Sequence, residues 1–183
     1  MDELKPSPEA AGNKSARQRT LAGSMWVTIP GTLLLLGAAT LMLPPLAVAD
    51  APAARLAFAL RWLPVALLPY AATCLHILLA RFLEGAHNPL LGSESERLKI
   101  HCRVMQNTLE QLVWFTLCVL ALAAGTAPLR LVPMACVLFA AARFIYWWGY
   151  LRRSTLGRAP GVQMTFTLNV ALLAMALAQL LRT

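Results

Sequence analysis

Arg103, Asn107 and Glu110 stand at i, i+4 and i+7. On a helix that spacing puts a cation, an amide and a carboxylate on one face. Arg143, Tyr146 and Tyr150 stand at i, i+3 and i+7 and share a face in the same way. Two such helices side by side could form a cleft for a zwitterionic ligand with several carboxylates. Guanidinium groups fork onto carboxylates, Glu110 would accept from an ammonium, and Asn107 and the phenols would fix peptide amides. Spacing alone leaves a structural reading open. Arg103 could mark a membrane interface, and Tyr146, Trp147, Trp148 and Tyr150 could be an aromatic belt. Glu110 could pair with Arg143 only to neutralise both.

These residues sit in strongly apolar surroundings. After Glu110 the chain runs Leu112, Val113, Trp114, Phe115, Leu117, Cys118. The whole sequence of 183 residues is 58% hydrophobic and 13% charged, which is too apolar for a soluble domain. Its long apolar runs define an all-α, polytopic membrane protein. Glu110 is the only acidic residue inside any of those runs. A charge inside a span must face protein or water, so it marks a functional site by default.

The elements follow in order. Residues 1–23 read as a disordered basic tail. Residues 24–50 hold the first span, Met25 to Ala49, with Pro44-Pro45 ending or bending it. A secretory signal with Ala47-Val-Ala49 as cleavage site is the competing reading, against which stands the length of the run. Residues 55–183 hold four more spans: Leu56 to Phe82, kinked by Pro64 and Pro69; His101 to Gly125; Leu131 to Tyr150; and Val162 to Leu181. Between them lie a long polar connection, Leu83 to Ile100, a tight turn at Thr126 to Arg130, and a basic loop, Leu151 to Gly161.

Charge distribution sets orientation. With the tail cytoplasmic, eleven Lys and Arg fall on that side and three (Arg55, Arg130, Arg182) on the other. The positive-inside rule therefore places tail and long loop in the cytoplasm. It also explains the net charge of +8 better than a nucleic-acid partner does, and no nucleic acid is expected. Cys74, Cys102, Cys118 and Cys136 lack metal or redox spacing. His76 reads as packed and His87 as solvated. His101 lies at the mouth of the third span with too few ligands near it for a metal site. The spans show neither repeat symmetry nor a pore-lining polar series, which argues against a channel or transporter.

The motif Arg103-x-x-x-Asn107-x-x-Glu110, followed one span later by Arg143-x-x-Tyr146-x-x-x-Tyr150, resembles the MAPEG family (membrane-associated proteins in eicosanoid and glutathione metabolism). The resemblance covers roughly Leu56 to Leu181 and implies a four-helix bundle to which this chain adds an N-terminal transmembrane helix. It also implies a homotrimer among membrane lipids that binds glutathione between subunits. Arg103, Asn107 and Glu110 would come from one subunit and Arg143, Tyr146 and Tyr150 from its neighbour. The implied chemistry is transferase- or peroxidase-type, on an apolar small-molecule substrate. Some members carry a thiol-activating arginine at the position of Gly157; here Arg158, one residue on, is the candidate catalytic cation. The position after Glu110, a tyrosine in some members, is Gln111. The added span and the pattern Arg143, Tyr146, Trp147, Arg153, Ser154, Gly157 resemble the five-span mattrin branch. That resemblance implies the alternative, a non-catalytic protein acting through protein or lipid interactions.

Overall fold

Each apolar run is long enough to cross a bilayer, and each folds as a helix. A backbone in hydrocarbon must satisfy its own hydrogen bonds, and a helix does so within one segment. The computed structural model describes residues 8–44, 51–85 and 94–182, apart from the side chains of 8–17, 39 and 153–155. Helices α1 (Pro8–Met42), α2 (Pro52–Glu84), α3 (Glu96–Ala124), α4 (Leu131–Gly157) and α5 (Ala159–Leu180) follow one another. All five contain a stretch long and apolar enough to span a membrane.

Helix bounds differ from the sequence reading in several places: α2 and α5 begin a few residues early, at Pro52 and Ala159, and α3 begins at Glu96, inside the stretch that reads as a polar connection. α1 begins at Pro8, inside the stretch that reads as a disordered tail, and ends at Met42, before the prolines. The basic loop is helical as far as Gly157. Its Leu and Arg residues are good helix formers, and no Gly or Pro interrupts them before Gly157. The connection 86–93 lies outside the described residues, and His87 with it.

The helix ends are specified locally. Gly85 takes the left-handed conformation (φ 68°) that terminates α2, where a side chain would be strained. Ser95 caps α3, its Oγ accepting from the Leu98 N–H at 3.1 Å, which satisfies one of the free amides of the first turn. Arg81 near the end of α2 pairs with Glu94 at 2.7 Å. At the opposite end Arg55 donates to the carbonyls of Ala123 (3.0 Å) and Ala127 (2.5 Å). A cation there meets a carbonyl left free in the last turn of α3 and another in the turn that follows it.

The core lies among α2, α3, α4 and α5. Phe115 and Phe139 stack with ring centroids 4.4 Å apart, backed by Leu168 and Leu172, all buried. α4 and α5 approach closely at Gly161, where a Cβ would lie 2.4 Å from the Tyr146 amide nitrogen and 2.6 Å from the Ala142 carbonyl oxygen. A small residue at a crossing lets two membrane helices pack backbone to backbone. Beyond Arg152 the chain turns back on itself. A Cβ at Gly149 would sit 2.0 Å from the Gly157 carbonyl oxygen, whereas eight residues of straight helix span about 12 Å. α1 packs on the edge of the core, against α4 and α5, and adds Leu36 to it.

Candidate functional site

α3 buries the stripe Val104, Thr108, Leu112, Phe115 against its neighbours. Asn107 is one residue off that stripe, at its edge, and is half-buried; Arg103 and Glu110 turn outward and are exposed. Glu110 accepts a hydrogen bond from Gln106 Nε2 at 3.3 Å.

Arg143 on α4 is 1% exposed and reaches across to α3. Its Nη2 donates to Asn107 Oδ1 at 3.0 Å and to Thr108 Oγ1 at 2.9 Å; Nε donates to the same hydroxyl at 3.2 Å. Thr108 passes its own proton to the Val104 carbonyl at 2.6 Å. The guanidinium carbon lies 4.1 Å from the Tyr146 ring centroid, within cation–π range. Arg143 is therefore held by neutral acceptors and an aromatic face, and no carboxylate partners it among the described residues. The Glu110–Arg143 pair considered from the sequence does not form within the chain.

The fold-back after Arg152 returns Arg158 to this place. Its guanidinium lies 4.9 Å from the Tyr150 ring centroid, and Tyr150 is 5.9 Å from Tyr146, centroid to centroid. Asn107, Tyr146 and Arg158 border a cavity of about 410 Å³, completed by Leu21 and Met25 of α1 and by Ala159, Val162 and Gln163 of α5. That volume is in the range of small-molecule sites. The residues of the two sequence stripes are thus divided. Asn107, Arg143, Tyr146, Tyr150 and Arg158 come together in one chain, while Arg103 and Glu110 stand on its outer surface. Arg153 and Ser154 fall among the undescribed side chains.

Three participants were missed in the sequence. Thr108 adjoins Asn107, and a hydroxyl inside a polar stripe was the available signal. Gln163 is one of the few amides in an apolar span. Asn169, fully buried, donates to the Gln111 side-chain oxygen at 3.0 Å and to its carbonyl at 3.2 Å. This polar bond joins α3 to α5 one turn beyond the site.

A second cluster flanks the first. Trp147 Nε1 donates to His101 Nδ1 at 2.9 Å, and His76 packs against His101 with centroids 4.1 Å apart and the rings tilted by 51°. His101 is buried, whereas His76 is exposed at the surface of α2 rather than packed within it. Among the described residues no three of His, Cys, Asp and Glu gather as metal ligands.

An all-α bundle of membrane-spanning helices, with a buried arginine bridging two of them beside a lined cavity, defines the class: a polytopic membrane protein with an intramembrane polar site. The MAPEG family model matches residues 32–178, and the chain belongs to that family. Membership places it among membrane proteins of glutathione and eicosanoid metabolism. The matched stretch starts within α1, earlier than the Leu56 at which the motif resemblance begins. Neither the curated proteins nor the solved structures give a match.

Proposed function

We propose that this chain binds glutathione within the membrane and performs transferase- or peroxidase-type chemistry on an apolar substrate, as a homotrimer with its tail and long loop cytoplasmic. The observation that carries the reading is Arg143, fixed between Asn107 and Thr108 with Tyr146 on its face, beside a cavity that also receives Arg158. Arg143 and the Asn107 amide would hold the peptide carboxylates and carbonyls, and Tyr146 and Tyr150 would close around them. Arg103 and Glu110 are exposed on one chain. An exposed carboxylate within a span calls for a protein neighbour, and a second subunit would bring those two residues to the ligand.

Arg158 is the candidate for thiol activation. A free thiol has a pKa of about 8.5, and a nearby cation raises its thiolate fraction at neutral pH. In conjugation the thiolate sulfur bonds to an electrophilic carbon, the leaving group departs with its electron pair, and the thiol proton goes to water. In peroxide reduction two glutathiones become the disulfide while the hydroperoxide becomes an alcohol and water. Purified protein is expected to gain thermal stability with glutathione, and to lose that gain in Glu110→Gln and Arg103→Leu. No shift in the parent would refute glutathione binding. Unchanged shifts in the two variants would return those residues to a structural role.

The second reading, a non-catalytic binding member, is favoured by Gly157. The glycine has no side chain to offer, and its carbonyl is packed over Gly149. Activity in Gly157→Arg that the parent lacks would support it.

A further inference from the structure

The α1 wall of the cavity lies outside the stretch common to the family, since Leu21 and Met25 precede residue 32, where the match begins. A polar clasp fixes how α1 is turned. Gln163 Nε2 donates to Ser24 Oγ at 2.9 Å and to the Leu21 carbonyl at 3.3 Å, while its Oε1 accepts from Thr28 Oγ1. With Ser24 and Thr28 against α5, Leu21 and Met25, four residues apart, border the cavity. Val27 points away and is 73% exposed. The cavity lining is therefore mixed. Asn107, Tyr146, Arg158 and Gln163 supply polar and cationic groups; Leu21, Met25, Ala159 and Val162 supply apolar surface.

We infer that Leu21 and Met25 are specificity-determining residues: they form the surface against which the apolar group of a glutathione S-conjugate, or of the co-substrate that becomes it, is packed. The inference rests on the glutathione reading above and adds to it a role for the N-terminal helix. An alkyl group on the sulfur near Arg158 would leave water for this wall, and each buried methylene adds to affinity. A ligand with the same peptide but a charged sulfur substituent gains nothing there.

The test compares S-hexylglutathione with glutathione sulfonate by calorimetric titration of the full-length protein in detergent. The parent is expected to bind the hexyl compound tighter by about tenfold. In the double variant Leu21→Ser, Met25→Ser that preference falls to about twofold or less, with the sulfonate affinity held within about twofold. Val27→Ser, on the same helix but facing outward, keeps the full preference. Should the double variant fail to insert, Met25→Trp decides: it fills the mouth of the cavity and excludes the hexyl chain while the sulfonate still binds. Binding of both ligands without a hexyl preference in the parent, or a preference that survives the double variant or Met25→Trp, overturns the α1 wall and leaves the glutathione site standing. Binding of neither ligand by the parent overturns the site and the wall together.

Discussion

Thr108 serves Arg143 twice, because one hydroxyl oxygen accepts from both Nε and Nη2. Thr108→Val keeps the shape and removes that acceptor. A buried charged donor left without a partner costs about 1–3 kcal/mol or more. Thermal unfolding in detergent should register that loss, and Thr108→Ser should restore most of it. Trp147→Phe is the corresponding change in the neighbouring cluster. His101 Nδ1 would lose its donor inside a buried site, and a loss of about 1 kcal/mol is expected by the same measurement. Asn107 and Arg143 could be placed at similar depth from spacing and helix direction. That they meet within one chain could not, since it depends on the rotation of α3. The rotation is set by the buried stripe through Thr108, and a threonine beside an asparagine gives little sign of which of them turns inward.

Among the helices, the α4–α5 crossing is the tightest point near the site. A methyl group at Gly161 would press on the Tyr146 amide and the Ala142 carbonyl. Both are backbone atoms that cannot swing aside. Gly161→Ala is expected to force the helices apart at a cost of about 1–3 kcal/mol, and to weaken glutathione binding because Tyr146 moves with its backbone. Unfolding and titration of the same sample check both. The spans themselves were legible, because apolar runs of this length fold in only one way in lipid. The end of α4 was not. Its basic residues gave the look of a loop, while their helical propensity and the glycine contact at Gly149 made a folded-back helix. The seat of α1 was equally hidden, since apolar residues facing lipid and apolar residues facing protein have the same composition.

For the molecule as a whole, orientation and assembly are open to direct measurement. Single cysteines introduced at Ser95 and Ala51, at opposite ends of α2 and α3, should react with a membrane-impermeant thiol reagent from opposite sides. Ser95 should be the cytoplasmic one under the positive-inside rule. Native mass spectrometry from detergent should give three copies. Glu110→Leu, which removes the carboxylate but leaves Arg103 and Gln106 on the exposed face of α3, should lower the ligand dependence of that assembly, since the carboxylate would no longer be shared between ligand and neighbour.

The neutral cradle of Arg143 has a consequence for the unliganded state. Arg143 and Arg158 each lie over a tyrosine ring beside one hollow, and among the described residues no carboxylate pairs with either. The first anion to arrive would supply the counter-charge. Occupancy should stiffen α3, α4 and the start of α5 together, as slower amide hydrogen exchange in all three on addition of ligand.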